Sequence, residues 1–520
     1  MLKLAEIFTD HMVFAHGKKC VIWGESSEYS VTVKLDDETV YETVFGEFEA
    51  YLPETLPGGP HTVSVIAGDE EITLSDVYFG EVWLAGGQSN MEFLLKSDAD
   101  YEKAVKGANI PILREFQVPR AEYKDYRRDH PEKFATAPKW FTCTPETCGD
   151  FSAVAFWYAK KFTEKYKIPV GIIYCNCGGS SASAWIDKYT LATVPEAHEY
   201  VLDYERDLKG VSFHEYIKRH DDYYEYDRIW HEKAEELIKT EGLDVKAAYS
   251  DPRIGACPSW PPPSGPWHFS SPSNLYYGML STIIPFTLTK VLWYQGEEDV
   301  PKSTRYEKLL KAMINEWRRD FRDGSLPFIL IMITPYSYDW NDPMKTDSCL
   351  IREADVKLSK KLENVSYVVT TDMGERYEIH PPHKKKIGDR IFETERYKYE
   401  KVPLIKSPEV VKASIVTRKV SDTENQNVCL LVYFDTDLKV KAQIKGFQVV
   451  YGDGKVCKAK AEFFDAAITN EPEFLNRVIK VNLPDTTQKP TEIRYAYADY
   501  IESDLYGANT LPAVPFRVMV

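Results

Sequence analysis

The sequence predicts an α/β protein: a parallel sheet with helices on both faces, set between two β-rich units. Three observations lead there. From Glu81 to about Glu400, short and almost wholly apolar runs alternate with amphipathic stretches. Before and after that region the apolar residues recur at every second position instead. At 520 residues, the chain is also too long for one ordinary core.

The apolar runs are EVWLA from Glu81, PVGIIYC from Pro169, KVLWYQG from Lys290, PFILIMI from Pro327 and VSYVVTT from Val365. Such continuous runs suit strands buried on both faces. Between them FSAVAFWYAKKFTEKY and RYEKLLKAMINEWRRDF read as helices, and the alternation implies a parallel sheet. In the first stretch, Val31, Val33 and Leu35 alternate with Thr32 and Lys34, HTVSVIAG repeats the pattern, and Pro57 to Gly59 is a turn signal. A small β-sandwich over residues 1–78 is the natural reading. VCLLVYF, FQVVYGDGK, VIKVNL and EIRYAYAD are the strands of a third, β-rich and sandwich-like unit, residues 401–520. The central unit, 79–400, carries an insertion over about 192–266. It is rich in Tyr, His and acidic residues, includes the helical YDRIWHEKAEELIK and ends in the Pro-rich CPSWPPPSGPWHF. It is expected to cover the end of the sheet where α/β enzymes bind ligands.

A composition of 43% hydrophobic and 28% charged residues supplies a full-sized core, with no need of a metal or disulfide staple. A net charge of -16 argues against nucleic acid or an anionic membrane as partner. No run approaches a membrane span of roughly 18 apolar residues. The opening MLKLAEIFTDHMVFAHGKK lacks the basic-then-apolar pattern of a signal peptide. With Met1 as the true start the expectation is a cytoplasmic protein; a trimmed sequence would leave it secreted. Nine scattered cysteines fit buried thiols in a reducing compartment, and without paired Cys-x-x-Cys motifs a zinc site is not expected. The sequence does not fix the oligomeric state.

Four strand ends carry chemistry. In LAGGQSNME, Gly86 and Gly87 permit a sharp turn that would expose the Ser89 hydroxyl and free a backbone N–H, though Ser in such a turn is also ordinary turn chemistry. In YCNCGGSSASAW, the N–H of Gly178 or Gly179 could face an anion, or the segment could be a strand-to-helix turn capped by Ser180. LWYQGEED offers the Gln295 amide and Glu297, or a solvated loop. DMGERYEIHPPHKKKIGDR offers His380, although a lone loop His is commonly surface polarity; His383 follows it without a third ligand, so no metal site is expected. In a parallel sheet these ends share one edge, so Ser, Gly-Gly, Gln and His converge on the groups acyl transfer requires.

GQSNM, GG followed by AW, WYQGE and IHPPHKKKIGDR together resemble the sialate O-acetylesterase family, of the SGNH-hydrolase type. IFTDHMVF with VIWGE, PSNLYYGMLSTIIPF, IRYAYAD and LPAVPFRV extend the resemblance over most of the chain, the insertion matching least. It implies an SGNH-hydrolase-like sheet and a serine carbohydrate O-acetylesterase without cofactor or metal. The substrate implied is a small-molecule or oligosaccharide acetyl ester, O-acetylated sialic acid first and acetylated xylan- or mannan-derived oligosaccharides second. A non-catalytic carbohydrate-binding protein is the competing class, against which the Ser and His speak. A lipase or peptidase is disfavoured by the missing G-x-S-x-G.

The resemblance assigns Ser89 as nucleophile and, through its own N–H, as oxyanion donor. Gly179, with Gly178 as the near alternative, is the second donor; Gln295 lies near the reacting carbonyl; His380 is the general base. The Asp that many SGNH enzymes carry three residues before the His is Tyr377 here. Glu378, Glu375 or a backbone carbonyl is left to orient His380, or a Ser–His dyad operates. Gln88, Asn90, Trp185 and Glu297 are expected to contact substrate. Trp185, Trp260, Trp267 and the Tyr-rich insertion offer flat faces for a sugar ring, and Arg253 and Arg376 are candidates for a sialic acid carboxylate.

Overall fold

The structure is a computed structural model. It describes residues 1–44, 47–120, 138–259, 262–265, 268–337, 345–419, 425–464 and 471–520. Its centre is a seven-strand array: β1 (Glu70–Gly87), β2 (Ile110–Gln117), β3 (Trp140–Cys143), β4 (Val170–Asn176), β5 (Lys290–Tyr294), β6 (Phe328–Ile331) and β7 (Val365–Val368). Their order is β3-β2-β4-β1-β5-β6-β7. All neighbours are parallel except the edge strand β3, antiparallel to β2.

Strand residues alternate between two apolar clusters, which is why the runs look continuous in sequence. Leu84, Ile173, Val291, Trp293 and Leu330 face one side, with Leu309, Met313 and Trp317 of helix α5 (Ser303–Asp320). Trp83, Ala85, Ile172, Leu292 and Ile329 face the other, with Ala155 and Phe156 of α2 (Ala153–Tyr166) and Ile387 and Ile391 of α7 (Lys385–Glu395). The sheet is therefore covered on both faces. From β1 the chain builds β2 to β4 on one side and then β5 to β7 on the other. The crevice beyond the carboxyl end of β1 is a topological switch point, where ligands bind in open α/β sheets.

The expected boundary at 78/79 falls inside one continuous strand. The first half of β1 pairs antiparallel with Gly58–Ala67, and Val13–Ala15 runs parallel to it at Tyr78–Gly80. Val31, Val33, Val63 and Phe79 share a cluster with Trp293, so the N-terminal β-unit and the central sheet have a common core. The C-terminal unit has its own: two four-stranded sheets close over Leu430, Val432, Phe447, Val449, Ile479, Val481 and Ile493. The insertion contains helices α3 (Pro195–Leu208) and α4 (Phe213–Glu241). Ser212 caps α4 by accepting the Glu215 N–H at 3.2 Å, and Gly242, at φ 68, ends it. Trp230, Ala234 and Leu237 of α4 pack on Ala248 and Ile254.

No helix among the described residues is long and apolar enough to cross a membrane. All nine cysteines are free thiols.

Candidate active site

The geometry begins at Gly87. Its φ is +133°, and a Cβ there would lie 2.1 Å from the Tyr294 carbonyl oxygen of β5, so only glycine fits. This close approach lets the Gln88 N–H donate to the Tyr294 carbonyl at 3.0 Å. The chain then turns into the single-turn helix α1 (Ser89–Glu92). The turn aims the Ser89 hydroxyl at His380, with Oγ to Nε2 at 2.8 Å.

The loop after β4 lies against this turn. Cys177 N–H donates to the Gly87 carbonyl at 3.1 Å, and Gly178 N–H to Glu92 Oε2 at 2.6 Å. A Cβ on Gly178 would lie 3.3 Å from Ser89 Cβ. Of the glycine pair, then, Gly178 spends its donor on Glu92. Gly179, with φ +69°, keeps an N–H without an acceptor among the described residues, as does Ser89. Ser180 does not cap the following turn: its hydroxyl donates to the Cys177 carbonyl at 2.7 Å, and Ser181 is the cap.

His380 is held through its main chain. Its N–H donates to Glu378 Oε1 at 2.8 Å. Glu375 is exposed and meets Glu378 main chain to main chain. Neither carboxylate is hydrogen-bonded to the imidazole, which corrects the expectation that one of them orients the ring. Burial, followed by the nearby Lys384 charge, lowers the His380 pKa, with Glu378 opposing, so the ring is biased toward its neutral form. His383 stands apart, 4.0 Å from Asp100.

Behind the pair lies a buried polar network. Asn90 donates to Glu297 Oε1 at 2.6 Å and to the Ile379 carbonyl at 3.0 Å, tying the loop after β5 to the residue before His380. Lys384, fully buried, donates to Asn90 Oδ1. Burial brings the Lys384 ammonium down to about 7 against the pull of Glu297, Asp98 and Glu378, and burial raises the Glu297 carboxyl. Gln88 Oε1 accepts the Gly296 and Glu298 N–H groups at 3.1 and 3.3 Å. Gln88, Asn90 and Glu297 are thus internal braces of the loops and not exposed to a sugar.

Two further expectations change. Gln295 spends both amide hydrogens, on the Ser180 carbonyl at 3.1 Å and on Asp299 Oδ2 at 2.7 Å, and its oxygen accepts from Tyr306 at 2.9 Å. It braces the β4 loop and has no hydrogen left for an oxyanion. Trp185 is fully buried, donating to Ser180 Oγ at 3.0 Å and set edge-on to Trp293, so it is core and not a sugar platform. Trp260 and Trp267 lie outside the described residues. Arg253 is paired with Glu241 and Asp251, and Arg376 lines a separate cavity with Lys445 and Tyr500. Sequence reasoning passed over Lys384 and Glu92. The only signal was their place beside the motifs, in HKKK and QSNME.

Comparison with known proteins gives the chain's relatives. Residues 266–394, which include Gln295, Glu297 and His380, match the family model described as SASA, carbohydrate esterase, sialic acid-specific acetylesterase. The chain is 23% identical to the sialate O-acetylesterase of Homo sapiens over 340 residues, 60% of this chain and 53% of that one, so it spans about half the length of that relative. To the sialate O-acetylesterase of Mus musculus it is 23% identical over 549 residues, 96% of this chain and 91% of that one. A crystal structure of a carbohydrate acetylesterase from Xanthomonas citri superposes with a TM-score of 0.74 at 24% identity, covering 100% of this chain and 99% of that one. The chain is thus similar in sequence to the sialate O-acetylesterases along nearly its whole length, and it shares its fold with a carbohydrate acetylesterase.

Proposed function

We propose that the protein is a carbohydrate O-acetylesterase, a serine hydrolase that removes O-acetyl groups from sugars, with O-acetylated sialic acid as the preferred substrate. The observation that carries the reading is the 2.8 Å contact between Ser89 Oγ and His380 Nε2 at the switch point of the sheet. In this reading the catalytic unit has an SGNH-hydrolase-like arrangement: it starts within β1, runs to about residue 400 and shares its core with the N-terminal β-unit, while residues 401–520 form the other flanking β-unit. The order β4-β1-β5-β6-β7 supports that arrangement, as does a Ser after β1 and a His after β7.

Ser89 attacks the acetyl carbonyl while His380 Nε2 takes the hydroxyl proton. The oxyanion is received by the N–H groups of Ser89 and Gly179. The sugar hydroxyl leaves with the proton from His380, and water then hydrolyses the acetyl-enzyme along the same path. With no carboxylate on the imidazole among the described residues, the pair is read as a dyad, held in place through the main chain by Glu378 and the Asn90–Ile379 link.

Acetate release by the native protein and by Ser89→Ala tests this. The panel is an activated aryl acetate, O-acetylated sialic acid, and acetylated xylo- and manno-oligosaccharides. Ser89-dependent release is expected, greatest on the sialic acid. Release confined to the neutral oligosaccharides would select the polysaccharide-esterase alternative. A folded protein that releases nothing would leave a carbohydrate-binding role.

A further inference from the structure

A cleft beside the Gly178 loop carries a cation on its wall. It has a volume of about 510 Å³ and is lined by Arg120, Gly178, Tyr223, Tyr224, Tyr249 and Phe269, among others. Gly178 marks the end nearer the nucleophile, since a Cβ on it would lie 3.3 Å from Ser89 Cβ. The insertion supplies an aromatic wall. Tyr224 and Tyr249 are 39% and 42% exposed, high for rings of that size. They are nevertheless fixed: Tyr249 packs on buried Trp230 with centroids 4.7 Å apart, and Tyr224 on Tyr223 at 5.3 Å. A tyrosine held this way presents an apolar face and a polar tip, which suits the C–H face and hydroxyls of a pyranose.

Arg120 stands at the side of this cleft. Its guanidinium lies over the Phe269 ring, 5.7 Å from the centroid, and 3.3 Å from Glu92 Oε1, with its side chain 48% exposed. Glu92 Oε2 takes the Gly178 N–H. One carboxylate thus spans from Arg120 to the glycine beside the nucleophile, and α1 carries both Glu92 and Ser89. The guanidinium is always charged, and its planar fork matches a carboxylate with two parallel hydrogen bonds. In a chain of net charge -16, an acidic sugar is repelled by most of the surface and needs such a local cation.

We propose that Arg120 is the specificity residue of this cleft, binding the carboxylate of an acidic O-acetylated sugar whose ring rests on Tyr224 and Tyr249. The assignment rests on the esterase reading above. It locates the discriminating charge at a position different from Arg253 and Arg376, neither of which lines the cleft.

The test compares kcat/KM for O-acetylated sialic acid and for its methyl ester, in which the carboxylate is masked, with an aryl acetate as a reporter of Ser89 chemistry. The native protein should favour the free acid by about tenfold or more, because a site built for a polar partner rejects the analogue that lacks it. Arg120→Ala should bring the ratio close to one, chiefly through KM on the free acid, and Arg120→Lys should keep part of the preference. Equal turnover of acid and ester by the native protein would overturn the proposal, and so would equal losses on both substrates in Arg120→Ala. Either result, with aryl acetate turnover still abolished by Ser89→Ala, leaves the esterase reading standing. Aryl acetate turnover that survives Ser89→Ala overturns the esterase reading itself.

Discussion

Two lysines are buried at opposite ends of the same sheet, and they are treated differently. Lys290 opens β5 at the amino end. Its Nζ lies 3.5 Å from Glu81 Oε2, donates to Tyr399 at 2.7 Å, and sits 5.0 Å from the ring centroids of both Trp83 and Tyr399. Burial alone would raise the Glu81 carboxyl, but Lys290, His16, Thr289 and Trp83 bring it well below its ordinary value, while burial lowers the Lys290 ammonium against the pull of Glu81. Lys384, at the carboxyl end, forms no ion pair among the described residues. An amide, Asn90, stands between it and Glu297. At one end opposite charges are joined and caged by aromatic rings; at the other they are held apart, and Lys384 falls to about 7. A closed buried pair is costly to break, because either partner alone is left uncompensated. Separated, titratable groups next to a Ser–His pair mark the end where protons move.

The largest effect expected from breaking the functional end is on chemistry. Ser89→Ala should lower kcat for acetate release on the order of 10⁴-fold or more while the melting midpoint stays close to that of the native protein. Retained activity in that variant would remove the reaction from this end of the sheet. Breaking the other end should act on stability. Lys290→Met strands the Glu81 carboxylate in the core, and truncating one partner of a buried pair costs about 3–5 kcal/mol. A denaturant titration should show that loss, with kcat per folded molecule preserved. A change in kcat and none in stability would invert the comparison.

How far the two ends were legible in the sequence follows from what each relied on. The five apolar strands were readable because their residues alternate between two covered faces, so that few positions are polar. β2 was not, because ILREFQ carries Arg114 and Glu115 inside, and the four residues of β3 are too few to show a period. Arg114 is compensated by Asp76 and by the His11 carbonyl, and Glu115 by Gln117 and the Ser152 N–H, all distant in sequence except Gln117. The convergence of Ser89 and His380 was readable because parallel strands put their carboxyl ends on one edge. Gln295 and Trp185 were misread for a common reason: sequence shows that a donor or a flat face exists but not what it is already bound to. The Gln295 amide is consumed four residues later by Asp299, and the Trp185 indole by Ser180. Nothing in KKK from Lys384 to Lys386 says which lysine turns inward. That choice is made by Asp98, whose carboxylate accepts the Lys384 N–H at 2.9 Å, and by Asn90.

A smaller effect sharpens the contrast at Lys384. Its charge depresses the His380 pKa, after burial. Lys384→Met removes that charge, so the imidazole pKa rises and the neutral base appears only at higher pH. The acid limb of kcat/KM should move to higher pH, and kcat should fall about tenfold as Asn90 loses its donor and the link to Ile379 loosens. A pH–rate profile with an unmoved acid limb would show that Lys384 is only packing, as Lys290 is.

The smallest effect concerns a third way of burying charge. Glu115, in β2, is wholly buried and has no cation paired with it among the described residues; burial pushes its carboxyl up to about 8, against hydrogen bonds from Gln117 and the Ser152 N–H. It is therefore kept as a neutral acid, neither paired like Glu81 nor spaced from a lysine like Glu297. The sign follows from linkage. The folded state binds this proton more tightly than the unfolded chain, so the contribution to stability is complete below the ordinary carboxylate pKa of 4.5 and is lost as pH rises to about 8. Glu115→Gln cannot lose a proton, so the difference in melting midpoint between pH 5 and pH 8 should narrow by a few degrees, with the gain at pH 8. An unchanged difference would mean that Glu115 is ionised in the fold, and that a lone carboxylate is tolerated inside the sheet that pairs Glu81 with a lysine.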